Sequence, residues 1–256
     1  MVASVTLALA LMSGLYSGTY ALQAGVPATT ASLQVTPLAG DRVRFDITVR
    51  RRGAIVNEFD LDMTKRMHVI VVSDDFRTFA HLHPRALPNG HMVVEMPAPP
   101  GAYHVYADSE PHDVGQQVFR FDVGTAQPRS LLPSPSAYAV GPYVVRLSTL
   151  RLRAGVENRV ALTITKGGAP AHDLQPYLTA AGHAVFLNAR DLTYVHVHPS
   201  VAGMPMRGMD MSDEAPQAGP NLTLHANVRE PGTYKLWFEF RGGAALYTAP
   251  FTVTVR

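Results

Sequence analysis

The chain has 256 residues, 46% hydrophobic and 16% charged, so it can bury real cores and is not a disordered tail. Its net charge of +2 provides no electrostatic footprint for nucleic acid. The absence of cysteine removes disulfides, thiolate metal sites and cysteine nucleophiles.

The first charged residue is Asp41. Val2 to Met12 is an apolar stretch of signal-peptide length, and Thr19-Tyr20-Ala21 reads as a cleavage site, although no Lys or Arg precedes the apolar core. Residues 1–24 are therefore expected to be a signal peptide or, uncleaved, a membrane anchor, since Met1 to Leu22 is just long enough to span a bilayer. A buried N-terminal strand or helix is the remaining reading. Export places the protein in the periplasm or outside the cell, touching a membrane only through this segment.

After Ser32 come short runs of β-branched and aromatic residues broken by turn signals. Arg42 to Val49 and Arg159 to Thr165 alternate with period two. The pattern predicts an all-β chain of two tandem β-sandwich domains, because the sequence repeats itself. His68 and His81 are 13 positions apart, as are His183 and His196; His83-Pro84 and His198-Pro199 follow at the same offset. Downstream, Pro100-Gly-Ala-Tyr103 matches Pro231-Gly-Thr-Tyr234. The expected boundaries are 32–123 for the first sandwich, 124–136 for a Pro-rich linker and 137–256 for the second sandwich.

Each histidine motif reads as a β-hairpin. A loop at 74–77 pairs Ser73 with Thr78 and hence His68 with His83, with His81 diagonally opposite on the same face. A loop near Ala189 to Asp191 does the same for His183, His198 and His196. A register slip of one residue would flip a strand and break either triad. Three converging neutral imidazoles suit copper, zinc or nickel. They could instead fix the hairpins by hydrogen bonding.

The second repeat carries an insertion, a Met-rich loop over 200–219 with Met204, Met206, Met209 and Met211 beside Gly, Pro and Asp. Thioether sulfur is soft and suits Cu(I), so a loop folded back on His196 and His198 would favour copper, and Asp210 or Asp213 would add oxygen. The competing reading is a flexible loop with Met as filler. Asp75 and Asp191 are expected to cap the turns. His91, His104, His112, His172 and His225 are not repeated and are read as surface or satisfied histidines.

Pro176-Tyr-Leu-Thr-Ala-Ala-Gly-His183 and His196-Val-His-Pro199 resemble the signature of bacterial exported proteins built from one or two immunoglobulin-like domains. The first repeat keeps the histidines but has Leu61-Asp-Met-Thr-Lys-Arg-Met67 in place of the Pro-Tyr-Leu stretch. That resemblance implies immunoglobulin-like sandwiches and export. A looser similarity runs to CopC-like and YtkA-like periplasmic copper-binding sandwiches, and implies a copper role.

The expected function is an exported metal-binding protein for copper, with zinc as the alternative. It would buffer, store or deliver the ion through His68, His81 and His83, and through His183, His196 and His198. The Met loop would contribute, and a membrane transporter or other metal-handling protein would be the exchange partner. A structural or interaction module with purely structural histidines is the rival. An enzyme is not expected, because no Asp or Glu reads as a repeated base beside both triads.

Overall fold

The structure is a computed structural model that describes residues 13–22, 25–98, 101–125, 131–202 and 218–256. Among them every regular element is a β-strand, and no helix is long and apolar enough to cross a membrane. The chain divides into two compact units between residues 128 and 129.

The first unit contains β1 (Gly14–Ser17), β2 (Thr19–Tyr20), β3 (Thr30–Leu38), β4 (Arg42–Arg51), β5 (Ala54–Ile55), β6 (Phe59–Asp60), β7 (Met67–Ser73), β8 (Phe79–Leu82), β9 (Arg85–Ala86), β10 (Met92–Pro97), β11 (Tyr103–Pro111) and β12 (Gln117–Val123). One sheet runs β1-β3-β4-β10-β9 and the other β2-β12-β11-β7-β8. The order β3-β4-β10-β9 facing β12-β11-β7-β8 is that of immunoglobulin strands A-B-E-D facing G-F-C, with one further strand beside C. Alternation builds it: Val43, Phe45 and Ile47 of β4 point inward and are fully buried, while Arg42 and Arg44 point out. They meet Val69, Val71, Val105 and Phe121 of the second sheet in one core. Each such side chain contributes about 1.5–3 kcal/mol by leaving water.

The second unit repeats this plan with β13 (Ala137–Val140), β14 (Tyr143–Leu147), β15 (Arg151–Leu152), β16 (Glu157–Lys166), β17 (Ala169–Pro170), β18 (Leu174–Gln175), β19 (His183–Asn188), β20 (Tyr194–Val197), β21 (Ser200–Val201), β22 (Asn221–Asn227), β23 (Gly232–Gly242) and β24 (Ala245–Val255). Its sheets run β13-β14-β16-β22-β21 and β15-β24-β23-β19-β20. Val145, Leu162, Phe186, Leu236 and Phe251 lie in its core. The fold is thus two tandem immunoglobulin-like β-sandwiches.

Part of the stretch expected as a leader or anchor forms strands. Gly14–Ser17 pairs with β3 and Thr19–Tyr20 pairs with β12, so strand pairing starts before residue 32. Ala21 is buried, and Gly18 donates its N–H to the Ala31 carbonyl at 2.9 Å. A Cβ at Gly18 would lie 2.9 Å from that of Phe119, so only glycine lets the chain run this close. A charge-free run reads as a leader, and the same property suits it to an edge of the sandwich. Val2 to Met12 lies outside the described residues.

Candidate metal centres

Each triad is built by a hairpin on the same sheet position of its unit. In β7–β8, Ile70 pairs with His81, and Ser73 N–H donates to Thr78 O at 3.1 Å. That register sets His68 opposite His83. In β19–β20, Val185 pairs with His196 and Asn188 N–H donates to Thr193 O at 3.0 Å, which sets His183 opposite His198. The loops are pinned by the predicted caps. Asp75 Oδ1 accepts from the Ser73 hydroxyl at 2.6 Å and from Arg77 N–H at 3.0 Å, while Asp191 Oδ1 accepts from the Thr193 hydroxyl at 2.6 Å and its N–H at 3.0 Å.

The imidazoles converge. In the first unit the ring centroids are 5.1 Å apart for His68–His81, 5.0 Å for His68–His83 and 4.7 Å for His81–His83. In the second they are 5.5 Å for His183–His196, 4.6 Å for His183–His198 and 4.7 Å for His196–His198. Nδ1 of His68 lies 2.8 Å from Nε2 of His81, and Nδ1 of His183 lies 3.3 Å from Nε2 of His196. The latter matches the edge of a tetrahedron whose centre is about 2.0 Å from each nitrogen, the zinc–imidazole bond length. One nitrogen from each of His183, His196 and His198 falls within 4.8 Å of the others. His68, His81 and His183 are buried; His83, His196 and His198 are half-buried.

A second feature recurs that the sequence comparison missed. Nε2 of His68 lies 3.1 Å from the Asp62 carbonyl, and Nε2 of His183 lies 3.1 Å from the Tyr177 carbonyl. A carbonyl only accepts, so in each ring Nε2 carries the proton and Nδ1 keeps its lone pair facing the other histidines. Both carbonyls come from tight turns closed by paired backbone bonds, Asp62 with Lys65 and Tyr177 with Ala180. The central residues are left-handed: φ is 43° at Met63 and 71° at Thr64, and 51° at Leu178 and 67° at Thr179. These are type I′ turns made without glycine. Leu61 to Met67, unlike the Pro-Tyr-Leu stretch in sequence, is its counterpart in structure.

Electrostatics favour ligation. Burial, then the neighbouring His68, lowers His81 to about 3, and the Asp108 carboxylate opposes that shift. Burial, then His81 and His68, lowers His83 to about 3. Both rings are therefore neutral at neutral pH, as a metal ligand must be.

Carboxylates stand beside both triads, correcting the expectation that no repeated acid does. Asp108 on β11 pairs directly with His68, and Glu239 on β23 pairs directly with His183. Both follow the repeated Pro-Gly by the same seven-residue offset, a signal the sequence contains. Both are buried. Gln116 Nε2 donates to Asp108 Oδ1 at 2.9 Å, and the Thr248 hydroxyl donates to Glu239 Oε1 at 3.4 Å. Burial pushes Glu239 up to about 8.

Met204, Met206, Met209 and Met211, with Asp210 and Asp213, lie outside the described residues. The unrepeated histidines mostly have acidic neighbours. His91 lies 2.7 Å from Asp46, His112 2.8 Å from Asp60 and His225 2.9 Å from Glu157. His104 is buried, 2.6 Å from Asp122 and 3.1 Å from Asp74.

Fold and site define a protein of two immunoglobulin-like sandwiches, each carrying three converging imidazoles, of which His183, His196 and His198 form a group able to hold a metal ion. The chain belongs to the family described as "Domain of unknown function (DUF8832)", whose model matches residues 24–127 and again 138–256. That double match parallels the internal repeat. Comparison with curated proteins gave no match. Among solved structures, a 1.5-MDa bacterial ice-binding adhesin, described for host cell surface retention, is similar at 10% identity and a TM-score of 0.26; 90% of this chain and 66% of that one are covered. Dpr2 Ig1-Ig2 in complex with DIP-Theta Ig1-Ig3 is similar at 13% identity and a TM-score of 0.22, with 87% and 94% covered. These scores carry no argument about function.

Proposed function

We propose that the protein is an exported, non-enzymatic metal-binding protein that buffers, stores or delivers copper, with zinc the alternative, at one triad in each sandwich. The observation carrying this reading is that both repeats bring three imidazoles together and turn Nδ1 of the leading histidine inward through the same backbone hydrogen bond. Nothing about a hairpin requires that twice. Deep burial of His68, His81 and His183 supports holding an ion rather than turning over a substrate. Met204, Met206, Met209 and Met211 would supply thioether donors that retain Cu(I). The copper assignment draws on the resemblance to CopC-like and YtkA-like sandwiches, and a membrane transporter or other metal-handling protein would exchange the ion.

One contact favours the structural rival. The 2.8 Å approach of His68 Nδ1 to His81 Nε2 is a hydrogen bond that ties the hairpin without metal. Titration of the full chain with Cu(II), Cu(I) and Zn(II), beside a His196→Ala/His198→Ala variant, separates the two. The full chain is needed because starting at residue 30 would remove β1 and β2. Two ions per chain, reduced to one in the variant, is the expected result. Binding no tighter than that of scattered surface histidines would leave the histidines structural.

A further inference from the structure

We propose that the residue six positions before the leading histidine sets the ionic charge each triad prefers: Asp62 biases the first triad toward a dication, and Tyr177 leaves the second without that bias. This rests on the metal-binding reading and adds to it a positioning residue and a difference between the two sites.

The two turns differ in side chain and not in backbone. Asp62–Lys65 and Tyr177–Ala180 are closed by the same paired backbone bonds, and each presents its first carbonyl to Nε2 of the leading histidine at 3.1 Å. Leu61-Asp62-Met63-Thr64 stands where the second unit has Pro176-Tyr177-Leu178-Thr179. What the two leading histidines meet differently is therefore the side chain of residue 62 or 177.

In the first unit Oδ2 of Asp62 lies 3.6 Å from Nε2 of His68, the ring nitrogen that does not face His81. The His68 side chain is 1% exposed and that of Asp62 is 20% exposed, so little water screens the charge. The Nε2 proton thus has a carbonyl and a carboxylate beside it. A carboxylate behind the N–H of a ligating imidazole fixes the ring and makes its other nitrogen a more basic donor. Its charge also attracts the ion, and Coulomb energy scales with ionic charge. A dication therefore gains twice what Cu(I) gains at the same distance. Lys65, at the far end of the turn, has the opposite charge, but it acts on His83 less than burial, His81 and His68 do.

In the second unit Tyr177 puts an aromatic ring in that place. It packs edge-on against His183, with centroids 5.0 Å apart and planes at 70°. The Arg241 guanidinium lies over the same Tyr177 ring, 5.9 Å from its centroid. A phenol is uncharged near neutrality. Tyr177 therefore holds His183 in place as Asp62 holds His68, but it adds no attraction for a doubly charged ion, and the charge packed on it is positive.

The test uses the full chain with one triad silenced at a time, titrated with Zn(II) and Cu(I). With His196→Ala/His198→Ala silencing the second triad, Asp62→Asn keeps the backbone carbonyl and the side-chain shape and removes the charge. It should weaken Zn(II) binding by about tenfold or more. Cu(I) binding should weaken by about threefold, the square root of that factor. Asp62→Glu should retain most of the Zn(II) affinity. With His81→Ala/His83→Ala silencing the first triad, Tyr177→Asp should move the ratio of Zn(II) to Cu(I) affinity toward Zn(II) by about threefold or more. An equal loss for both ions in Asp62→Asn, or an Asp62→Glu chain no better than Asp62→Asn, would mean that Asp62 only shapes the turn, and would overturn the proposal. Affinities unchanged in Asp62→Asn, or a ratio unchanged in Tyr177→Asp, would overturn it as well and leave the triads standing. If the unmodified chain binds neither ion, the metal reading falls and takes this inference with it.

Discussion

In the first sandwich the residue before the leading histidine is Met67, and the neighbouring strand carries Ala107; in the second those places are held by Gly182 and Phe238. Met67 and Ala107 both belong to the first core, and Phe238 to the second. A Cβ on Gly182 would sit 2.7 Å from the Phe238 ring and 2.7 Å from the Glu239 carbonyl. The bulk has moved from one strand to the next. With it the ladder has shortened: Met67 still pairs with Ser109, whereas pairing in the second unit ends at His183 and Glu239. The histidine that follows keeps its position in both. Core volume can be traded between neighbours, but the register that sets three imidazoles on one face cannot shift by a residue.

The largest expected effect tests that trade. Phe238→Ala empties a fully buried ring and should cost about 3–5 kcal/mol. Gly182→Met in the otherwise native chain overpacks the same space and should cost about 1–3 kcal/mol. Combined, the two should cost less than their sum by about 1 kcal/mol or more, with the clash against the Glu239 carbonyl left as the residue. Denaturant unfolding of the four proteins closes the cycle. Strict additivity would mean that glycine and phenylalanine do not compensate each other.

Much of the convergence of the histidines is legible in the sequence. Alternation predicted β4 and β16, turn signals predicted the two hairpins, and a period-two face placed His68, His81 and His83 together, as it did His183, His196 and His198. What stayed hidden depends on strands distant in sequence. Asp108 reaches His68 only because β11 lies beside β7, and sequence order does not state which strands become neighbours. The turns at Asp62–Lys65 and Tyr177–Ala180 were hidden for another reason: type I′ turns announce themselves by Asn-Gly or similar pairs, and Met63-Thr64 and Leu178-Thr179 give no such signal. The strands of residues 14–20 are not legible as strands because an uncharged run suits a leader as well as a sandwich edge.

Acid should act on the first triad in a defined direction. His81 and His83 stand at about 3 in the folded, metal-free protein against 6.5 for an ordinary imidazole. Below pH 6.5 the unfolded chain therefore takes up protons that the folded chain refuses. Stability present above 6.5 drains away as the pH falls toward 3, by at most about 1.4 kcal/mol per pH unit for each proton the unfolded chain binds in excess. Denaturant midpoints measured on metal-free protein between pH 7 and 4 report the slope, and His81→Ala/His83→Ala should flatten it. An unmodified chain whose midpoint ignores pH would show that these rings are solvated.

A smaller effect checks whether the turns behind the two triads are equivalent. Thr64→Gly and Thr179→Gly each replace a β-branched residue at positive φ with one that adopts it freely. Each should stabilise its own unit by about 0.5–1 kcal/mol, the strain relieved less the extra chain entropy of glycine. Thermal unfolding that rose for one variant and fell for the other would break the parallel between Asp62–Lys65 and Tyr177–Ala180.

The smallest expected difference lies in the hairpin loops, where the two units use different chemistry for one job. Asp75 ties its loop to the strand before it through Ser73 and to its own loop through Arg77 N–H, while Asp191 accepts from the hydroxyl and the N–H of Thr193. Both Asp75→Ala and Asp191→Ala should cost about 0.5–1 kcal/mol, the worth of an exposed hydrogen-bonded turn acid. Asp75 offers a further test in acid. The Ser73 hydrogen bond, helped by Arg77, holds its carboxyl below the ordinary value of 3.8. Its contribution is therefore complete above that value and disappears as the pH falls through the lower, folded one. The stability gap between the unmodified chain and Asp75→Ala should be constant near neutrality and close in strong acid. A gap that persisted there would assign the loss to packing of the loop and not to the carboxylate.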